Sequence, residues 1–366
     1  MRILQVIGSL DRGGAETFLM NVLRNIDRDK FSFVFLCYGD STSDYDNEAI
    51  RLGAKIVRIP EFKDVGILQH IKDVRRVIRD NEIDVVHVHT YYNSVFSLIA
   101  AKLSGIRLRI THSHNTMSEA NPGLSKRIYF VISKLGIALF SNKFLACGQE
   151  AGRALFLPGS QFAIIYNGIN IKDFSYDETI RKGIRKELNI NDDETVVMHV
   201  GRFVEAKNHK FLIAIFDEYC QFNANSKLLL IGDGPLRPSI EHEVKRRALS
   251  DRVIFLGKRS DMTSLYNGAD LLVFPSLFEG LPVVLVEVQA NGLHSLVSDK
   301  VDESAKLNKR LEFMSLSSSP KAWAYKMSSI NIARKTGEKS SLLDGPYDIT
   351  NVTQELVKLY NGNLEV

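Results

Sequence analysis

Short runs of Val, Ile and Leu recur along this chain, each followed by a helical pattern, and that alternation leaves few folds open. In the first half the runs fall near Arg2–Ile7, Phe31–Cys37, Lys55–Arg58, Val85–His89, Leu108–Ser113, Lys143–Ala146 and Ala163–Tyr166. In the second half they fall near Thr195–Val200, Lys227–Ile231, Arg252–Leu256, Asp270–Phe274 and His294–Ser298. Helical stretches separate them, among them Ala15–Ile26, Ile67–Arg79, Asn93–Leu103, Asn208–Gln221, Leu236–Ala248, Met262–Asn267 and Val283–Ala290. A strand that is apolar on both faces needs cover on both faces, and helical crossovers between such strands make them parallel. The expected class is therefore α/β with parallel sheets.

At 366 residues the chain has room for two such domains. The pattern restarts after the polar stretch from Asn167 to Asp193, which marks the boundary. We expect two Rossmann-like domains facing a central cleft, at 1–170 and 171–349. The last helix, near Thr350–Tyr360, is a candidate to pack back on the first domain through residues 350–366. Ser315–Pro320 reads as a loop. No apolar run approaches the ~18 residues that span a bilayer, and Met1–Ile7 reads as a first strand rather than a signal peptide. Three widely spaced cysteines, Cys37, Cys147 and Cys220, argue against a disulfide framework or zinc knuckle and fit a reducing cytoplasm.

A net charge of +4 is too small to point to nucleic acid. Its distribution is more informative. Between residues 100 and 153 lie Lys102, Arg107, Arg109, Lys126, Arg127, Lys134, Lys143 and Arg153, against Glu119 and Glu150. The same zone holds the apolar run Ile128-Tyr129-Phe130-Val131-Ile132. A basic, partly apolar face suits an anionic membrane surface or a phosphate-bearing acceptor, though a solvated helix face reads equally well.

The chemistry-bearing residues sit where strands give way to helices. Glu279 follows the strand Asp270–Phe274, and Glu287 lies about a turn and a half into the helix after Pro282. Carboxylates at the carboxyl end of a parallel strand and on the following helix stand where open α/β sheets bind ligands. As acceptor-only groups they suit a ligand rich in hydroxyls. Val200-Gly201-Arg202-Phe203-Val204-Glu205-Ala206-Lys207-Asn208 follows the second domain's first strand and offers a diphosphate clamp, Arg202 as a fork and Lys207 as a point charge. Gly232-Asp233-Gly234-Pro235 is another strand-to-helix turn, with turn geometry and ligand approach both open. Gly8-Ser9-Leu10-Asp11-Arg12-Gly13-Gly14 opens the first helix. It is neither a G-x-G-x-x-G fingerprint nor a P-loop, so dinucleotide cofactors and nucleoside triphosphatases lose support.

His87-Val88-His89 and His112-Ser113-His114 each put two rings on one side of a strand. No Asp, Glu or Cys accompanies them in a metal-ligand spacing, and no metal is expected. One of His112 and His114 is the candidate to donate to a sugar hydroxyl; a structural role fits His87 and His89.

Together these residues resemble retaining glycosyltransferases of family 4, whose two-domain architecture is called GT-B. Glu279 and Glu287 match the E-x7-E signature. Gly-Gly-Ala-Glu, Gly-Arg-Phe…Lys-Asn, Gly-Asp-Gly-Pro, Asn167-Gly168-Ile169 and Ser298-Asp299 fall in the family's order, over nearly the whole chain. His294 stands where the family often has proline. The chain is most similar to bacterial enzymes of capsule, exopolysaccharide or lipopolysaccharide assembly.

The resemblance implies a nucleotide-sugar donor, UDP first and GDP or ADP as alternatives, and no metal requirement. It implies Arg202 and Lys207 on the donor diphosphate, with Gly14, Gly201 and Gly232 close by, and Glu287 on the ribose. It implies Glu279, with the N–H groups of Gly280 and Leu281, on the transferred sugar, and His114 near that sugar with His112 as second choice. The base would rest on backbone around Arg259–Met262. The acceptor would be lipid-linked or an oligosaccharide, and the enzyme cytoplasmic, at the inner face of the membrane. A nucleotide-sugar epimerase and a non-catalytic nucleotide-sugar-binding subunit are the alternatives.

Overall fold

The structure is a computed structural model and describes residues 1–114, 123–279, 282–337 and 340–363. The chain forms two compact units, Met1–Ile169 with Pro346–Val366, and Asn170–Gly345.

The first unit begins β1 (Arg2–Val6), α1 (Gly14–Asn25), β2 (Ser32–Tyr38), α2 (Asp46–Arg51), β3 (Lys55–Ile59), α3 (Phe62–Val65) and α4 (Ile67–Asp80). It continues β4 (Val85–Val88), α5 (Ser94–Leu103), β5 (Leu108–Ser113), α6 (Leu124–Phe140), β6 (Lys143–Ala146), α7 (Gln149–Leu155) and β7 (Ala163–Ile164). The second unit starts with α8 (Glu178–Glu187), β8 (Thr195–Val200), α9 (His209–Phe222), β9 (Ser226–Ile231), α10 (Arg237–Arg246) and β10 (Val253–Gly257). There follow α11 (Met262–Gly268), β11 (Leu271–Phe274), α12 (Val283–Asn291), β12 (His294–Ser298), β13 (Leu311–Met314) and α13 (Pro320–Ser328). The chain ends in α14 (Ile349–Tyr360), which belongs to the first unit.

The seven-stranded sheet has the order β3-β2-β1-β4-β5-β6-β7 and the six-stranded sheet β10-β9-β8-β11-β12-β13. Every strand pair is parallel. The expected α/β class thus holds for both units. In each, alternate strand residues feed one of two cores. Ile3, Phe33 and Phe35 pack with Phe18 of α1 and Val352, Leu356 and Leu359 of α14. Leu4, Val6, Val34 and Leu36 pack with Val74 and Val77 of α4 and Leu98 of α5. Val197, Leu228 and Val273 meet α9, α10 and Trp323 of α13, while Met198, Leu229 and Phe274 meet α8, α11 and α12.

The polar stretch 167–193 contains a helix. Asp177 caps α8 by accepting from the N–H groups of Thr179 at 2.6 Å and Ile180 at 3.2 Å. Arg185 of that helix is buried, and with Arg181 it grips Asp270 at the start of β11.

Polar side chains interrupt the α1/α14 face of the first sheet. Gln5 and His87 lie opposite each other in register on β1 and β4, on the same side as Ile3 and Val85. His112 joins them from β5, and all three are fully buried. The sheet therefore carries a polar stripe through an apolar layer, and such a stripe is tolerated only where hydrogen bonds satisfy it.

Candidate active site

The second sheet's carboxyl edge gathers three loops, those after β8, β9 and β11. Gly232 has φ of 132°, and a Cβ there would stand 2.1 Å from the Gly201 carbonyl oxygen. Only glycine allows that approach. A Cβ on Gly201 would press on the Lys207 stem at 3.0–3.1 Å. The loop after β11 is tied to the loop after β8 by Leu277 N–H donating to Ala206 O at 2.8 Å, and by Asn208 Nδ2 donating to Pro275 O at 3.1 Å.

On this frame the Lys207 ammonium forms an ion pair with Glu279. It also sits 4.8 Å from the Phe274 ring centroid, a cation–π contact on the strand's last residue. Both charged side chains are mostly buried. Arg202 lies on the same loop and is exposed; its guanidinium makes no hydrogen bond or ion pair to a described residue. One cation is held against a carboxylate and a second stands beside it uncommitted.

Glu287 lies on the second turn of α12. Its carboxylate accepts from the Tyr266 hydroxyl of α11 at 2.5 Å. Tyr266 is fully buried. Burial raises the Glu287 carboxyl above the ordinary glutamate value, and the phenol hydrogen bond partly offsets this. Sequence reasoning missed Tyr266; a tyrosine in an otherwise apolar buried helix face was the available signal, because its hydroxyl needs a partner. Gly280 and Leu281 lie outside the described residues. At Arg259–Met262 the Arg259 guanidinium is taken up by Asp261 at 2.6 Å and Glu187 at 3.0 Å.

The first unit groups Gly14, His114 and Asn167. A Cβ on Gly14 would meet only Asn167 Nδ2, at 4.0 Å, so local packing does not demand a glycine there. His114 Nδ1 is 3.2 Å from Asn167 Oδ1 and its Nε2 is 2.9 Å from His89 Nδ1. Both ring nitrogens are thus engaged within the unit. A bond to a sugar hydroxyl would replace one of these, and the longer Asn167 contact is the exchangeable one. Burial pushes His114 down to about 4, so the ring is neutral near pH 7. His112 has no partner on either nitrogen among the described residues and is fully buried against Phe18. The two His-x-His pairs form a single cluster, with His87, His89 and His112 offering ring nitrogens within 4.8 Å of one another. Both nitrogens of His89 are already spent on Gln5 and His114.

The basic zone 100–153 divides. Arg109 is buried and donates to the carbonyls of Phe140 and Ile106, each at 2.6 Å, so it contributes no surface charge. Arg153 pairs with Glu150 at 2.6 Å. Lys126 and Arg127 remain exposed near the start of α6. That helix buries Ser133 and Ile137 and stacks Phe130 on Tyr92 at 4.2 Å. Its outer face is nevertheless apolar: Leu124, Ile128, Val131, Ile132, Leu135 and Leu139 are all more than half exposed. No helix among the described residues is long and apolar enough to cross a membrane.

These two parallel-sheet units define a GT-B-type protein. Residues 12–173 match the model of glycosyltransferase family 4 and residues 180–336 that of glycosyl transferases group 1. EpsF of Bacillus subtilis, which carries the name of a glycosyltransferase, is 34% identical over all of this chain and 97% of its own length. The capsular polysaccharide biosynthesis glycosyltransferase CapH of Staphylococcus aureus is 26% identical over 98% of each chain. The crystal structure of Anabaena HepE in complex with UDP superposes with a TM-score of 0.81 over 99% of this chain and 100% of that one, at 19% identity. The chain belongs to the family 4 and group 1 glycosyltransferases and is a glycosyltransferase.

Proposed function

We propose that this glycosyltransferase moves a sugar from a UDP-sugar to a hydroxyl acceptor, with retention of anomeric configuration, in surface polysaccharide or glycolipid assembly. The observation that carries the reading is the Lys207–Glu279 pair seated at the sheet's carboxyl edge, with Arg202 uncommitted beside it. The names of the relatives and the UDP held by HepE lend it support.

In this reading the acceptor oxygen bonds to the anomeric carbon as the bond from that carbon to the phosphate oxygen breaks. Negative charge grows on the leaving diphosphate, and Arg202 and Lys207 stabilise it without a metal. Glu279 faces the transferred sugar and Glu287 accepts from the ribose hydroxyls. The leaving phosphate oxygen takes the acceptor's proton, so no separate base is required. Gly14 would approach the donor phosphate and His114, held by Asn167, would lie near the transferred sugar. Product analysis with and without an acceptor tests this. Glycoside formed with the donor's own anomeric configuration is the expected product; free sugar released without acceptor indicates an epimerase or hydrolase instead.

Glu287 accepts from the ribose most strongly as a carboxylate. Its carboxyl is raised above the usual value, so UDP affinity is expected to fall as pH drops through that raised value, earlier than for an ordinary glutamate. Tyr266→Phe removes the bond that lowers it, and should move the loss of affinity to higher pH. Calorimetric titration of UDP across pH reads the shift; superimposable profiles for the two proteins contradict the role of Tyr266.

The exposed stripe on α6, flanked by Lys126 and Arg127, supports peripheral binding to an anionic membrane carrying a lipid-linked acceptor. Val131→Asp with Leu135→Asp should abolish cosedimentation with anionic vesicles while leaving folding intact, since both positions are over half exposed. Unchanged cosedimentation removes the membrane role.

A further inference from the structure

The polar stripe in the first sheet forms one continuous chain of hydrogen-bonding groups, and its far end lies on the last helix. Asn167 Oδ1 meets His114 Nδ1 at 3.2 Å, and His114 Nε2 meets His89 Nδ1 at 2.9 Å. His89 Nε2 meets Gln5 Oε1 at 2.9 Å. Gln5 Nε2 reaches the Tyr360 hydroxyl at 3.1 Å, and that hydroxyl meets His87 Nδ1 at 3.0 Å. His87 Nε2 has no partner among the described residues.

Each of these five contacts needs exactly one hydrogen, which constrains where the protons sit. With both amides oriented as above, His114 must donate from Nδ1 to Asn167 and His89 must donate from Nε2 to Gln5. The contact between His114 Nε2 and His89 Nδ1 then has no hydrogen unless one ring is a cation. Burial disfavours the cation at both rings. One amide is therefore turned over, since its oxygen and nitrogen are interchangeable in shape.

Turning Asn167 sends every donor toward His87 and leaves His87 with an N–H at its unpartnered Nε2. Turning Gln5 sends every donor the other way. His87 Nδ1–H then donates to Tyr360, Tyr360 to Gln5 Oε1, Gln5 Nε2–H to His89 Nε2, His89 Nδ1–H to His114 Nε2, and His114 Nδ1–H to Asn167. The unpartnered His87 atom is then a bare lone pair. Orphaned buried N–H groups are the rarer defect, so the second arrangement prevails.

We propose that Gln5 and Tyr360 are positioning residues that hold His114 as its Nδ1–H tautomer, so that its one donor points to Asn167 and can be handed to a hydroxyl of the reacting sugar. The proposal rests on the reading that His114 serves that sugar. It gives α14 a task beyond packing: Tyr360, 355 residues from Gln5, completes the relay from inside the core.

Nitrogen-15 histidine spectra of the full chain, with His114 assigned through a His114→Gln control, report the tautomer directly and without turnover. The wild type should give the Nδ1–H signature. Gln5→Glu, as a carboxylate beside a neutral His89, accepts from His89 Nε2–H instead of donating to it. The chain should then reverse and His114 should show the Nε2–H signature, the same spectra reporting that His89 is neutral. Tyr360→Phe, which cuts the chain with little change of shape, should give a mixture of the two. In both variants kcat should fall on the order of tenfold, the size of one misdirected hydrogen bond, with KM for the donor unchanged. An unchanged His114 signature in both folded variants overturns the proposal. A reversed signature with wild-type kcat upholds the tautomer control and instead removes His114 from the transfer step.

Discussion

Arg202→Ala is expected to lower kcat/KM by about 10²–10³, while the melting temperature stays at the wild-type value. The size follows from the cost of removing one preorganised charge-stabilising donor from a developing anion, about 2.7–4 kcal/mol. The absence of a stability cost follows from the setting: the guanidinium is exposed and bonds to no described residue, so truncation strands no partner. Lys207 makes the contrast. Its ammonium is paired with Glu279 and lies over Phe274, so its removal leaves a mostly buried carboxylate uncompensated and confounds chemistry with folding. Arg202→Lys should recover part of the loss, since a point charge remains but the fork does not. Steady-state kinetics with matched thermal melts read both quantities. Undiminished turnover in Arg202→Ala contradicts the diphosphate role.

Asp270→Ala should destabilise the second unit by about 3–5 kcal/mol, the cost of breaking a buried ion pair from one side. Asp270 Oδ2 accepts from Arg185 Nη2 at 2.8 Å and from the Val196 N–H at 2.7 Å, while Oδ1 accepts from Arg181 Nη2 at 2.6 Å. Arg185 is only 1% exposed and is otherwise spent on the carbonyls of Gly268, Asn191, Asp192 and Glu194. Without the carboxylate, a buried guanidinium keeps its charge and loses its counter-ion. For a unit of this size the loss corresponds to a fall in melting temperature of roughly 6–20 °C. Asp270→Asn, which keeps an acceptor, should fall between. A melt within about 2 °C of wild type would show that the network is solvated or replaceable. Asp270 stands at the amino end of β11 and bonds the start of β8, so this network anchors the strands at the edge opposite the site.

The parallel sheets were legible because β1, β4, β8, β9 and β11 carry Val, Ile, Leu or Met on both faces, with only single polar residues such as Gln5 and His87 between them, a pattern suited to a strand buried on both sides. β13 escaped notice: Leu311-Glu312-Phe313-Met314 is a short edge strand, and its Glu312 is tied to His294 at 3.0 Å and to Lys326 at 2.6 Å, so it reads as loop. α6 was obscured for the opposite reason. Its apolar residues occupy both faces, so it lacks the one-sided periodicity of a surface helix. In the site, the loop glycines, the two cations and the two glutamates stood out because strand-to-helix junctions confine chemistry to a few positions. What pairs with what did not. The Lys207–Glu279 bond depends on β8 and β11 being neighbours, the merging of two His-x-His pairs depends on the β4–β5 register, and the reach of Tyr360 to Gln5 depends on α14 returning to the first unit. None of these has a local signature.

The most direct test of the account is calorimetric titration of UDP into the wild type, Arg202→Ala and Glu287→Gln. Glu287→Gln keeps an acceptor for Tyr266 and removes only the charge offered to the ribose. The account predicts a single UDP site in the wild type, weakened about tenfold or more in each variant, since a charge-assisted hydrogen bond exceeds a neutral one by roughly that factor. Equal UDP affinity in all three proteins would mean that the nucleotide binds somewhere other than the carboxyl edge of the second sheet.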